Sequence, residues 1–266
     1  MNRGCFKTRV ISTIWDHRAT FGEFSLYVGA YVVYLVTRGL VHSDTRSVGL
    51  VNGEKVASLQ RDLGFLWEPG WQSWALENVE AVVAAMNWVY IITYWPVILT
   101  VAFILFIKNR RDYNFYRTVV FINLVGALLT FMIFPVASPF AIPNVELSDS
   151  IQELGPKFYG SESMASYYNI SAAMPSLHFS WTVILGVLFW RSLPGCGRYL
   201  GLLYPVLTFF AITLTGNHFI LDAMAGGVLA GLSFGAVLLL QAAQSRFLAL
   251  RQAPLTPLGV LERWQV

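Results

Sequence analysis

The sequence is poor in charged residues and has almost no cysteine. Only 12% of its 266 residues are Asp, Glu, Lys or Arg, whereas 56% are hydrophobic and the mean hydropathy is +0.55. Soluble domains carry about 25% charged residues, so this composition excludes an ordinary soluble domain and predicts a protein of the lipid bilayer. The formal charge of +3 is also small, and we therefore expect no nucleic-acid partner.

Cysteine occurs only at positions 5 and 196, both of which we expect on the cytoplasmic side, where thiols stay reduced. The sequence therefore predicts no disulfide and no cysteine metal site. The first long apolar run is not followed by a small-residue cleavage site, and we interpret it as a retained helix rather than a signal peptide.

Six apolar stretches are candidate membrane spans, since about 20 apolar residues cross the hydrocarbon core. We predict spans at 23–41, 82–107, 118–136, 176–190, 199–214 and 218–240, with a kink at Pro96 in the second. The fold class predicted is all-α: a polytopic membrane protein built as a six-transmembrane-helix bundle with interfacial helices.

The segment 43–78 is mixed in polarity and contains Trp67, Trp71 and Trp74. Because tryptophan prefers the membrane interface, this segment predicts one or two short surface helices, broken at Pro69-Gly70. The three tryptophans are either interfacial anchors or a lid over a pocket.

The chain divides into an amphipathic lead at 1–22, one membrane domain at 23–242 and a tail at 243–266. On the predicted topology, 13 of the 18 Lys and Arg residues lie on the side that holds both termini. Positive charge stays cytoplasmic, so we expect a multi-pass protein with both termini in the cytoplasm.

A histidine and a carboxylate lie four residues apart near the start of the last span. Residues four apart share one face of a helix, so Asp222 can accept a hydrogen bond from the His218 ring and hold it in one tautomer. His178 lies forty residues earlier, at the head of another span. A histidine in a membrane helix can be purely structural, but ionisable groups there are costly enough to indicate function.

These residue types can transfer a phosphoryl group without a metal or other cofactor. His218, oriented by Asp222, would attack phosphorus and carry it as a phosphohistidine, while His178 would protonate the leaving group and then activate the acceptor. Ser176 lies at a predicted helix N-terminus, where backbone amides favour an anion, and Asn217 adds an amide donor. Ser176 is equally well explained as a helix cap and Asn217 as a turn residue.

The pair of motifs resembles a known family. Pro175–His178 and the spacing of His218 and Asp222 are similar to the second and third signature motifs of the type 2 phosphatidic acid phosphatase superfamily. Asn169 and the Thr-Gly-Asn-His run at 215–218 are similar to its branch that contains inositol phosphorylceramide synthase, and the likeness extends back to Asn87.

The resemblance implies six helices, an extracytoplasmic catalytic pocket and no metal. It implies that His218 is the nucleophile, Asp222 its orienting acid, His178 the general acid and base, and Ser176 a phosphate contact.

The chain departs from the family at two positions that carry phosphate-binding arginines. The arginine expected six residues before the nucleophile is Ile212, and a Pro-Pro-Arg run expected after the third span is Ser138-Pro139-Phe140. Arg38, at the extracytoplasmic end of the first span, is the first replacement that we consider and Lys157 the second. Arg38 is otherwise a residue that snorkels to lipid headgroups.

The sequence therefore predicts an integral membrane lipid phosphatase or phosphotransferase that acts on a lipid or polyprenyl phosphoester among membrane lipids. Water as acceptor makes it a phosphatase, whereas an alcohol such as inositol makes it a headgroup transferase similar to inositol phosphorylceramide synthase. The alternative outside the enzymes is an inactive lipid-binding or transport protein on the same scaffold, which the missing arginines favour.

Overall fold

The computed structural model describes residues 17–42, 46–156 and 171–252, and over these ranges the chain is mostly helical. In chain order the described helices are α1 (His17–His42), α2 (Arg46–Asp62), α3 (Glu68–Ile92), α4 (Trp95–Lys108), α5 (Arg110–Ile133), α6 (Ser150–Leu154), α7 (Leu177–Ser192), α8 (Leu200–Leu214) and α9 (Ile220–Gln252). An isolated bridge between Val136 and Ala172 is the only β pairing in these ranges. The all-α fold class is confirmed for this part of the chain.

Four helical segments within the described ranges are long and apolar enough to cross a membrane. They are Glu68–Ile92, Arg110–Ile133, Gly195–Leu214 and Ile220–Ala249. Two shorter apolar helices, Thr20–Val36 and Trp95–Lys108, accompany them. Long apolar helices of this kind fit a membrane protein, whereas the predicted number of six spans remains a prediction.

The structure divides the predicted second span into two helices. The helix α3 ends at Ile92 and α4 begins at Trp95, with Pro96 in its first turn. Proline lacks an amide hydrogen and disfavours a helical residue before it, so it begins a helix here instead of kinking one. Pro69 likewise lies in the first turn of α3, and the kink in that helix is at Val79 (φ −144°, ψ 45°). The predicted break at Pro69-Gly70 is therefore wrong.

The last helix is displaced relative to its predicted span. It begins at Ile220, two residues after His218, and continues to Gln252. The first ten residues of the predicted tail therefore extend this helix.

Glycines allow the closest helix contacts. A Cβ atom at Gly186 of α7 would lie 2.5 Å from the carbonyl oxygen of Gly201 of α8, and one at Gly226 of α9 would lie 2.5 Å from the carbonyl oxygen of Ser176. Only glycine permits backbones to approach this closely. The contact at Gly226 holds the start of α7 against α9, and therefore brings the two histidine-bearing segments together.

A network of backbone hydrogen bonds fixes the end of the bundle where α5 ends and α7 and α9 begin, which we call the histidine end. The Ala173 amide donates to the Val136 carbonyl (2.9 Å), and the Ala137 amide donates to the Gly49 carbonyl of α2 (2.9 Å). The Asn52 side chain of α2 donates to the Pro135 carbonyl (2.9 Å). The helix α2 therefore supports the loops that carry the candidate site.

Candidate active site

One cavity of about 720 Å³ opens at the histidine end. Its volume lies in the range of small-molecule sites. His178, His218 and Ser138 line this end, whereas the rest of the described lining is mainly apolar and aromatic. The two imidazole rings lie 6.2 Å apart between centroids. The structure thus brings the two histidines of the sequence prediction to one site, and their chemical roles remain predictions.

The tautomer of neutral His218 follows from its hydrogen bond. Its Nδ1 lies 2.8 Å from the carbonyl oxygen of Ala173, which can only accept, so Nδ1 carries the hydrogen. The lone pair of the neutral ring is therefore on Nε2. The amide of His218 donates to the Ile212 carbonyl (3.1 Å), and the residue is almost fully buried. Backbone and ring contacts together hold this imidazole in one orientation.

Asp222 is near the ring but is not its closest acceptor. One carboxylate oxygen of Asp222, Oδ2, lies 3.5 Å from His218 Nδ1 and accepts a hydrogen bond from the Phe219 amide at 2.8 Å. His218 precedes α9, so the two residues do not share a helical face as the spacing had predicted. The orienting hydrogen bond is the one that His218 Nδ1 donates to the Ala173 carbonyl, and Asp222 supplies a fully buried carboxylate beside the ring.

Two residues that sequence reasoning missed hold the start of α9. Glu68 Oε1 accepts from the Ile220 amide (2.6 Å), and Gln60 Oε1 accepts from the Leu221 amide (2.9 Å). The Gln60 amide also donates to Glu68 Oε1 (2.7 Å), and both side chains are fully buried. A helix N-terminus has unpaired amides and a positive dipole end, so a buried carboxylate is favourable there. The only sign of this arrangement in the sequence is that an acid, Glu68, precedes Pro69 in a segment predicted to lie at the membrane interface.

Two tyrosines position His178. The His178 ring is stacked on Tyr90 (centroids 4.1 Å apart) and on Tyr94 (4.0 Å). Two tyrosine rings this close to the imidazole cannot both lie on the same face of it. His178 therefore lies between them, and only the edge of its ring is open to the cavity. Tyr94 also stacks on Trp181 (5.2 Å). Sequence reasoning missed this arrangement because the tyrosines flank the bend between α3 and α4.

Ser176 and Asn217 make local contacts at the histidine end. Ser176 is the N-cap of α7, and its Oγ accepts a hydrogen bond from the Phe179 amide (3.4 Å). The Asn217 side chain donates to Thr215 Oγ1 (2.7 Å). Both side chains are buried and neither lines the cavity. The structure thus supports the cap and turn interpretations, and direct phosphate contacts by either residue remain predictions.

The cations proposed from the sequence fall outside what the structure describes. Lys157 lies in the segment 157–170, together with Asn169, and the Arg38 side chain in α1 is also outside the described part. The position of the family arginine, Ile212, is fully buried. None of the cavity-lining residues that the structure describes is Lys or Arg.

Two further predictions concern metal and the tryptophans. Within the described ranges, no three His, Cys, Asp or Glu side chains are grouped as metal ligands. Trp67, Trp71 and Trp74 do not line the cavity, and Trp71 packs against Phe209 and Phe210 of α8. Their positions agree with anchoring and packing and do not support a lid.

Comparison with known proteins identifies a related family. Residues 54–236 match the family model described as the PAP2 superfamily. The matched region begins in α2 and ends in α9, and it includes both histidines and Asp222. No curated protein matches the chain, and no solved structure does.

Proposed function

Because this chain belongs to the PAP2 superfamily, we propose that it is an integral membrane enzyme that hydrolyses or transfers a phosphoester of a lipid or polyprenyl substrate. Membership indicates phosphatase-type chemistry on a phosphoester, and the apolar helices indicate a membrane protein. The observation that carries the proposal is that the rings of His178 and His218 share one end of a single cavity, 6.2 Å apart.

In the first step, His218 Nε2 attacks phosphorus and the bond from phosphorus to the leaving oxygen breaks. His178, in its protonated form, gives its proton to that oxygen, which leaves as an alcohol. Attack places positive charge on the His218 ring, and the Asp222 carboxylate 3.5 Å from Nδ1 stabilises that charge. The Ala173 carbonyl keeps the Nδ1 hydrogen in place throughout.

In the second step, the acceptor attacks the phosphohistidine. Neutral His178 takes a proton from water or an alcohol while its oxygen bonds to phosphorus and the P–N bond to His218 breaks. The products are free phosphate or a new phosphoester, and both histidines return to their starting protonation states. The Tyr90 and Tyr94 rings would keep the His178 edge directed at the reacting group during both steps.

The phosphate oxygens would be held by the N-terminus of α7. The Leu177 and His178 amides belong to the first turn of this 16-residue helix, where amides have no partner within the helix, and the helix dipole favours an anion there. Ser176, Asn217, Arg38 and Lys157 remain the proposed side-chain contributors. Of these, the two cations would replace the charge that the family arginines supply.

We further propose that the histidine end faces out of the cytoplasm, with both termini inside. The excess of Lys and Arg on the opposite side of the predicted topology supports this orientation. With water as the acceptor the enzyme is a lipid phosphatase. With an alcohol such as inositol it is a headgroup transferase, as the resemblance to the inositol phosphorylceramide synthase branch suggests.

A screen of lipid phosphoesters against the purified full-length protein tests this function. Released phosphate and the new phosphoester of the acceptor are measured separately, with and without inositol. Phosphate release with water alone supports the phosphatase, and a new phosphoester that forms only with inositol supports the transferase. Absence of both with every lipid would overturn the enzymatic function.

One observation favours a second candidate, an inactive lipid-binding or transport protein on the same scaffold. Ile212 occupies the arginine position and is fully buried, so this position cannot supply a cation to the cavity. Tight lipid binding by a protein that shows no turnover in the screen would support this candidate.

A further inference from the structure

The cavity extends from the histidines along one face of α5. This helix contributes Val120, Phe121, Leu124, Leu128 and Phe131 to its wall. Phe131 lies at the histidine end, and Phe121 is ten residues earlier. An α-helix rises about 1.5 Å per residue, so the cavity is about 15 Å deep along α5.

The walls of the cavity are suited to hydrocarbon. Its described lining contains no Asp, Glu, Lys or Arg side chain, and aromatic rings occur along its whole length. Tyr31 of α1 and Leu99 of α4 border it and are about half exposed. Partly exposed side chains of both helices therefore border the cavity, and the side between α1 and α4 is where a membrane lipid would enter.

Two rings in contact with each other line the end of the cavity opposite the histidines. Tyr27 of α1 and Phe121 of α5 both line it, and their centroids lie 5.4 Å apart. This ring pair, which we call the floor, spans the gap between the two helices. A chain that reaches the floor must stop there or leave through the side.

A polar cluster lies directly below the floor. Glu23 is one turn before Tyr27 in α1, and Arg117 is one turn before Phe121 in α5. These two side chains form an ion pair, and the Tyr113 hydroxyl donates to the same carboxylate (2.8 Å). An apolar chain that passed the floor would meet these charged groups, which are unfavourable surroundings for hydrocarbon.

We propose that the cavity binds a hydrocarbon chain of the substrate along α5, and that the Tyr27–Phe121 floor sets the chain length that is bound best. This inference rests on the proposed function, because it assumes that the phosphoester lies at the histidines. Carbon–carbon bonds of about 1.5 Å at near-tetrahedral angles advance an extended chain by about 1.3 Å per carbon, so about twelve carbons reach the floor.

The test uses monoalkyl phosphates with one saturated chain each, from about 8 to about 18 carbons, and the full-length His218→Ala variant, so that binding is measured without turnover. Trp95 and Trp181 line the cavity, and their fluorescence reports occupancy. Affinity is expected to rise about fourfold for each added carbon and to level off near twelve. In the same background, Phe121→Leu should move this plateau to longer chains and Phe121→Trp to shorter ones.

Phe103→Leu is the matched control, because Phe103 lies on α4, is 61% exposed and does not line the cavity. Its plateau should equal that of the parent. If affinity levels off at the same chain length in the parent and in both Phe121 variants, the inference is overturned.

The same series, run for turnover with an intact His218, separates the two proposals. Turnover without a plateau shift would overturn the role of the floor and support the enzymatic function. A plateau shift without turnover would support the role of the floor and overturn the enzymatic function.

Discussion

The imidazole rings of His178 and His218 lie 6.2 Å apart at the same end of one cavity, although they belong to segments forty residues apart in the chain. His178 is stacked between two tyrosines, and His218 is held by a backbone carbonyl. A different kind of contact thus fixes the orientation of each ring. Both rings line this cavity.

Replacement of Asp222 tests whether the Ala173 carbonyl sets the tautomer of His218. In Asp222→Asn the Nδ1 hydrogen bond to Ala173 remains, and only the carboxylate charge is lost. We expect kcat to fall about 10²- to 10³-fold, the usual effect of removing one electrostatic contact to the transition state. His218→Ala should cost about 10⁴-fold or more. Equal losses in the two variants, with unchanged helix content by circular dichroism, would contradict this division of roles.

The loss of kcat on removal of His178 should depend on the leaving group. We expect His178→Ala to lower kcat about 10²- to 10⁴-fold with an alkyl phosphoester, because the leaving alkoxide then needs a proton. The loss should shrink to about 10-fold or less with an aryl phosphoester, whose leaving group is stable without one. Tyr94→Phe, which keeps the stacked ring and removes only the hydroxyl, is the matched control. Equal losses with both esters would exclude a general-acid role for His178.

The hydrogen bonds at the start of α9 should contribute to both stability and activity. Glu68→Ala removes the acceptor of the Ile220 amide, and hydrogen bonds to buried charged groups contribute about 1.5–3 kcal/mol. We expect a lower melting temperature and a lower kcat, because the His218 loop is attached to this helix. Glu68→Gln keeps an acceptor oxygen and should lose less.

The control for Glu68 is Glu80→Ala, since Glu80 is an exposed acid on the same helix. Melting temperatures measured in one detergent would show the difference. A Glu68→Ala variant that is as stable and as active as Glu80→Ala would contradict the positioning role.

Close contact at Gly226 should make this position intolerant of a side chain. A Cβ there would lie 2.5 Å from the Ser176 carbonyl oxygen, so Gly226→Ala must push α7 away from α9. We expect a loss of about 1–3 kcal/mol in the free energy of unfolding. Gly231→Ala, on the same helix with no atom within 4 Å of the added Cβ, should be neutral or slightly stabilising. Indistinguishable melting curves for the two variants would argue against the close approach.

Local pattern was sufficient to predict the all-α class of the described ranges and the presence of the two histidines at one site. Long apolar stretches indicate helices, and two motifs at the starts of separate helices indicate side chains at the same end of a bundle. Helix boundaries were less accurate, because the sequence suggests a break at Pro69 and a kink at Pro96. The structure has both in first turns, where a missing amide hydrogen costs nothing.

The partners of the histidines could not be predicted, because they depend on contacts between distant segments. Glu68 and Ile220 are 152 positions apart, and no periodicity relates them. Tyr90 and Tyr94 reach His178 only because the chain bends between α3 and α4. The hydrogen bond from His218 to Ala173 replaces the expected one to Asp222 because α9 begins after the histidine.

The most direct measurement is a search for the covalent intermediate on His218. The full-length protein is mixed with a lipid substrate labelled at phosphorus, quenched in alkali within one turnover, and digested for peptide mass spectrometry. We expect an alkali-stable, acid-labile phosphoryl group on His218 that appears before product and is absent from His218→Ala. Turnover at the wild-type rate by His218→Ala, or a phosphoryl group on another residue, would contradict the account.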